Sequence, residues 1–446
     1  MTKISCIKYN QKGFAALLIT FLILAVIFSI ATSIAILTFG QEKIARNIVK
    51  SGRAYYVAEA GIEDAVYRIV NVPSSYTLAV GDDSVDIAVD SSKPKIRIIT
   101  ALSNVNNVFR KLEIYLSVNT VTPQFFYGVQ AGDLGIRMEE NSYVQGTGGA
   151  AGNVYSNGTI NGDNKAKITG NAFVAAGASL NYVSVLGDAH ANTITNSEIC
   201  GDAYYQTIDG NSLNFLNNPS SCSPKTPGTA YPGSTDPPLE NMPISDSNIK
   251  QWKDDAAKGG VYSGNFTIDS PTDFTSLGPK KIDGNLVFGK TGQTLNVTGT
   301  IYVTGYIDIN KSNLTIQCDP AYGLNSCIIL ADKWIAVKNN AIFSGAIPGN
   351  SYILFLSNSN CNGSSPTDCS TGNSAIYLKN NAIGAIFYAG NGLVYIENGV
   401  NATELTGRKI HLSQGAFVSY ETGLINVGFS SGPGGGWQID SWKEVE

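Results

Sequence analysis

The chain has 446 residues, about three domains' worth by length, and its 43% hydrophobic content with 22 Tyr and 17 Phe excludes a disordered polymer. Thirty basic against 35 acidic residues leave a net charge of -5, which argues against nucleic acid as a partner. Two histidines leave little room for a His-based metal site or triad, while 47 glycines, 41 asparagines and only 15% charged residues suggest a β-rich surface-type protein with Gly/Asn turns.

Residues 1–13 carry Lys3, Lys8 and Lys12 and no acid, and residues 14–39 are 26 in a row without charge. As a helix that run is about 39 Å long, enough to cross a bilayer core of about 30 Å. The basic leader stays in the cytoplasm and the rest is exported. A cleavable secretory signal has a shorter apolar run, about 7–15 residues. An uncleaved anchor fits the length. The junction Gln11-Lys12-Gly13-Phe14-Ala15-Ala16-Leu17 supports a third reading, in which a basic leader ends in Gly and an aromatic residue opens the apolar run.

That junction resembles a type IV prepilin. With Gln41-Glu42-Lys43-Ile44-Ala45-Arg46-Asn47 and Ala54-Tyr55-Tyr56-Val57-Ala58-Glu59-Ala60, about 55 residues are similar to the N-terminal domain of PilX-type minor pilins. The resemblance implies cleavage after Gly13 by a prepilin peptidase, N-methylation of Phe14, and other pilins as partners through the helix. It implies residence in the inner membrane first, and then in an extracellular filament. Typical pilins have Glu at mature position five, where this chain has Leu18. That departure suits a minor pilin, including one at a filament tip, better than a bulk subunit.

Ile44, Ile48, Tyr55, Ile62, Val66 and Ile69 recur at helical spacing with Gly52 in phase, so residues 14–70 read as one helix. The other reading makes residues 41–70 the start of a soluble domain; both predict one buried face. Pro73 breaks the helix. Strands are expected at residues 77–80, 84–89, 95–101 and 108–118, with Asn104, Asn106 and Asn107 turning the last two, giving a small antiparallel sheet over 71–122.

From residue 123 the texture changes. Gly170-Asn171-Ala172, Gly187-Asp188-Ala189 and Gly201-Asp202-Ala203 recur at spacings of 17 and 14, and Gly264-Asn265 and Gly284-Asn285 stand 20 apart. Lys338-Asn339-Asn340-Ala341-Ile342 returns 41 residues on as Lys379-Asn380-Asn381-Ala382-Ile383, read as two coils of about 20. The expected fold is α+β, mainly β: a pilin-type helix, the small sheet, then a parallel β-solenoid in segments 123–218 and 261–446. A β-sandwich with Gly-rich loops is the alternative. Residues 219–260 hold a connection with 7 of the 16 prolines, then a short helix capped by Ser245 or Asp246, with Ile249, Trp252 and Ala256 on one face. That helix is expected to cap a solenoid end. Residues 434–437 and Trp442 are expected to close the C-terminus.

Cys6 lies in the leader, leaving Cys200, Cys222, Cys318, Cys327, Cys361 and Cys369, an even number in an exported chain. Fifteen connectivities are open; nearest-neighbour pairing gives Cys200–Cys222, Cys318–Cys327 and Cys361–Cys369. A metal site is the rival, though no CxxC pair is present.

No catalytic constellation, P-loop or cofactor motif is found, and the expectation is a non-enzyme without cofactor or metal. His190 and His411 read as turn or stacked residues. Gly81-Asp82-Asp83 with Asp86 could hold calcium but lacks EF-hand spacing, and reads as a solvated turn. Asp188, Asp202, Lys333 and Lys338 cannot be placed on one face from sequence. The sequons Asn157-Gly158-Thr159 and Asn401-Ala402-Thr403 read as chance. The leading expectation is a PilX-like minor pilin displaying a surface for adhesion or filament priming, with a glycan or protein receptor. A membrane-anchored solenoid adhesin outside any pilus is second; a solenoid glycan lyase or hydrolase is third.

Overall fold

The computed structural model describes residues 11–445 except 69–73, 91–95, 119, 122, 164, 220–221, 223–225, 271, 273, 349, 365–367 and 433–436. Most of the expected leader with Cys6, and also Ile69, Pro73, Lys95 and Gly434 to Gly436, lie outside the described residues. The chain forms two compact units, Met1–Leu116 with Ile439–Glu446, and Ser117–Gln438.

The first unit begins with helix α1, Gln11–Tyr67, 57 residues without a break. Its second half packs on an antiparallel sheet of Ser75–Val80, Asp83–Asp90, Ile96–Val105 and Val108–Val118. Alternation dictates the contact: Val85, Ile87, Val89, Ile99, Ala101, Leu112, Ile114 and Leu116 are buried. Asn106 and Asn107 both adopt positive φ in the tight turn, a conformation Asn tolerates. The buried helix stripe is Ala54, Val57, Ala58, Ile62 and Ala65, whereas Ile44 and Ile48 of the expected stripe are exposed. Close approach selects the small residues: a Cβ on Gly61 would stand 2.9 Å from Val85. The fifth strand is Trp437–Val445, beside Val108–Val118. The C-terminus therefore completes this sheet, which corrects its expected role as a closing element of the segment 261–446.

In the second unit short strands pair in parallel with strands well separated in sequence. One ladder runs Val261–Ser263, Lys280–Asp283, Ile301–Val303, Cys327–Ala331, Ile353–Ser357 and on into Ile386–Ile396 and Glu404–Leu412. A second runs Phe266–Ile268, Leu286–Phe288, Ile307–Ile309, Ile335–Val337 and Ile376–Leu378 into the later halves of the same two long strands. A third joins Phe274–Leu277, Thr294–Val297, Thr315–Cys318 and Ile342–Ser344. Glu404–Leu412 then pairs with Val129–Ala131 and Ile136–Met138, and Phe417–Glu421 with Tyr143–Thr147. The stack continues from there to Ala230–Pro232. The two expected segments thus form one stack in which the earlier strands lie beyond the later ones.

Each Gly-Asx repeat makes a rung. The side-chain oxygen of Asn153 accepts from the Asn171 N–H at 2.8 Å, Asn171 from Asp188 at 2.9 Å, Asp188 from Asp202 at 2.8 Å, and Asp202 from Thr229 at 2.8 Å. A Cβ on Gly187 would strike the Asn171 oxygen and the Gly170 backbone. Asn380 donates to Asn339 at 3.0 Å and Asn398 to Asn380 at 3.1 Å. Because Asn339 and Asn380 touch, the 41-residue repeat is one step of the ladder, not two; residues 358–375, stapled by Cys361–Cys369, lengthen it.

Residues 233–245 run back along the outer side of the first ladder as a strap. Asp236 accepts from Gly177 N–H at 2.9 Å and Asn192 at 3.0 Å, the Tyr155 hydroxyl donates to Pro238 O, and Gln130 donates to Asn241 O at 2.8 Å. Helix α3, Asp246–Lys258, follows, with a capping box at Ser245. Its Ile249 and Trp252 cluster with Ile328, Leu330, Leu354, Leu356 and Phe429. These outward positions are apolar because the helix covers them, so Cys327–Ala331 and Ile353–Ser357 are buried on both faces. Helix α3 therefore covers a side of the stack, not an end. The end at residues 198–208 is covered by α2, Gly210–Asn217, whose Leu216 enters the core, a helix the sequence reading missed.

Candidate functional site

The apolar half of α1 is the first functional element. Among the described residues, 14–39 pack against no other part of the chain: Phe14 is 72% exposed and Leu18 52%. The helix is long and apolar enough to cross a membrane, with a mean hydropathy of 2.9 in its most apolar stretch. Gly13 and Phe14 both lie within α1. The second half changes character where the sheet begins, as Arg53 pairs with Asp83 at 2.5 Å and Arg110 with the Ser51 hydroxyl at 3.0 Å.

Six cysteine sulfurs are joined as Cys200–Cys222, Cys318–Cys327 and Cys361–Cys369, with Cα separations of 5.5, 5.7 and 5.8 Å, one of the fifteen connectivities. Each closes a local loop of the second unit.

The outer side of the first ladder carries a row of rings. Tyr155 and Phe173 stack at 5.9 Å, Phe173 and His190 at 5.0 Å, His190 and Tyr204 at 4.2 Å, and Tyr204 and Tyr231 at 4.6 Å. Ring faces inside this row are occupied by their neighbours, which leaves edges outward. Burial pushes the His190 imidazole below its ordinary value.

On the outer side of the second ladder, Tyr395 and His411 stack at 4.5 Å. Glu397 accepts from Tyr377 at 2.7 Å, Tyr395 at 2.6 Å and Lys379 at 2.9 Å. Burial raises this carboxyl, but the three donors outweigh it and hold it below the usual range. Tyr395 is pushed up to about 12 by burial and then by Glu397. His411 meets Glu139 at 3.0 Å, and Arg137 donates to the other Glu139 oxygen at 2.6 Å. Burial raises Glu139, and the donors again lower it overall. A carboxylate holding two or three donors is a clamp between ladder steps, with little basicity left for proton transfer. The sequence signal for this cluster is the repeated Lys-Asn-Asn step, which puts Lys338 and Lys379 on successive strands.

The other candidates are dispersed. Asp188 and Asp202 accept backbone N–H groups in the rungs, Lys333 pairs with Asp368 at 2.5 Å, and Lys338 lies 6.0 Å from the Tyr377 ring centre. Asp83 is engaged by Arg53 and Asp86 accepts from Thr77 at 2.7 Å. Asn157 holds the strap through both amide atoms, and the Asn401 side-chain oxygen is buried without a partner. No group of three or more His, Cys, Asp or Glu able to hold a metal occurs among the described residues.

No family model matches the chain, and no curated protein matches it. Among solved structures it is similar to the competence-associated pilin ComZ from Thermus thermophilus: the alignment covers 89% of this chain and 97% of that one, at 12% identity and a TM-score of 0.33. A likeness at that level fixes neither fold nor role.

Proposed function

We propose that this chain is a non-enzymatic, PilX-like minor pilin of a type IV pilus. The observation that carries the reading is α1: an unbroken 57-residue helix whose uncharged half follows Gly13 directly and is exposed all round, while its second half packs on an antiparallel sheet. A prepilin peptidase cuts after Gly13, Phe14 is methylated, and the helix passes from the inner membrane into a filament of similar helices, where apolar neighbours replace lipid. The leader stays inside, and everything after the helix is exported. The three parallel ladders are read as the faces of a β-solenoid displayed outside the filament, for adhesion to a glycan or protein receptor or for priming assembly; steps of 14–41 residues support this. The test is the mature N-terminus by mass spectrometry, in the native host or with a co-expressed prepilin peptidase. The expected product begins at N-methylated Phe14. An intact Met1 terminus overturns the reading and leaves a membrane-anchored solenoid adhesin, which would also fail to copurify with pili.

A further inference from the structure

A groove of about 440 Å³ lies where the strap turns into α3, lined by Asn241, Met242, Asp246, Ile249, Asn358 and Asn391 among others. That volume falls within the range of small-ligand sites. Local sequence places each polar group. Asn358 is the first residue after Ile353–Ser357, and Asn391 stands in an irregularity of Ile386–Ile396 between Gly390 and Gly392. A Cβ on Gly392 would strike Ala375, and would stand 2.6 Å from Ser359 O, so only glycine lets the backbone sit low beside an exposed Asn391. Asp246 is the first residue of α3. Buried Tyr388 fixes the wall by donating to Ile244 O at 2.9 Å.

Several asparagines of this unit spend their amides on neighbouring ladder steps, as Asn171, Asn380 and Asn398 do. The side chains of Asn241, Asn358 and Asn391 make no hydrogen bond among the described residues, yet they border one groove. Three amides both donate and accept, and the Asp246 carboxylate can accept from two adjacent hydroxyls. Met242 and Ile249 offer apolar surface for a C–H face. No Lys or Arg lines the groove, so an anionic ligand would meet Asp246 without compensation.

We infer that this groove binds a neutral carbohydrate with adjacent hydroxyls. The inference rests on the display reading for its biological use alone, since the binding needs no filament. The test is calorimetric titration of the full chain, in a detergent without a sugar head group, with maltotetraose, chitotetraose and a β-galactotetraose, and with tetragalacturonate as anionic control. At least one neutral probe binds, and Asn358→Ala with Asn391→Ala weakens it about ten-fold or more, as the loss of two hydrogen bonds requires. Asn391→Ala alone, on an exposed side chain, carries the test should the double variant fold poorly; Asn360→Ala, outside the groove, leaves binding unchanged. No binding of any neutral probe, equal binding of tetragalacturonate, or parental affinity in the variants overturns the inference. Processing at Phe14 without sugar binding removes the groove and spares the pilin reading; binding with an intact Met1 terminus does the reverse.

Discussion

The two units solve the same burial problem with opposite tolerance for change. In the first, Ser75–Val80 meets Asp83–Asp90 across a two-residue turn, and one face of a sheet is hidden by one helix. In the second, strands of three residues hold only because a neighbour lies on either flank, and the backbone of one step rests on the backbone of the next. The lesson lies in what a glycine faces: Gly61 of the first unit faces the Val85 side chain and Gly52 faces open space, whereas Gly187 of the second faces the backbone of the next step.

Gly187→Val breaks that contrast most sharply. The added side chain meets backbone that cannot move without shifting two rungs, so the second unit loses about 4 kcal/mol or more. Thermal unfolding followed by near-ultraviolet circular dichroism reads this. Gly52→Ala, in open space on α1, is neutral or gains up to about 1 kcal/mol. Equal sensitivity at the two glycines would dissolve the distinction.

Trp252→Ala tests whether the side cover matters as much as the stack. Trp252 is 1% exposed and lies 6.1 Å from Phe429 in an edge contact, and its loss is expected to cost about 3–5 kcal/mol in denaturant unfolding. A loss below about 1 kcal/mol would mean that α3 is an ornament on a self-sufficient stack.

The smallest effect concerns Glu404, fully buried with one oxygen unpartnered and the other accepting from Thr406 at 2.6 Å. Burial raises its folded pKa well above the ordinary 4.5. Its stabilising share is present below pH 4.5 and is lost as pH rises, because the unfolded carboxyl releases its proton first. Glu404→Gln is therefore expected to melt like the parent near pH 4 and above it at pH 8, by a few degrees. Identical melting at both pH values would refute the assignment.

Much of this was legible for physical reasons. Residues 14–39 announce a helix by lacking charge, residues 83–90 announce a strand by alternating, and Gly-Asx steps announce rungs because two residue types are needed there together. What sequence did not carry was distance. Nothing in Glu404–Leu412 says that its mate is Val129–Ala131, because any apolar parallel strand fits either flank. The 41-residue repeat misled because a stapled loop adds length without adding a step. Ile44 and Ile48 matched a helical period, but the stripe facing the sheet is made of smaller residues. Asn241, Asn358 and Asn391 are hidden among 41 asparagines, and only their convergence on one groove sets them apart.

The junction of Glu404–Leu412 with residues 129–138, and of Trp437–Val445 with Val108–Val118, gives the last tenth of the chain a part in both units. During synthesis Val108–Val118 and Val129–Ala131 wait, one flank bare, until Trp437–Val445 and Glu404–Leu412 have been made. A product stopped short of residue 404 leaves both units with open edges, which are targets for proteolysis. Closure is thereby deferred in both units to strands made long after their mates.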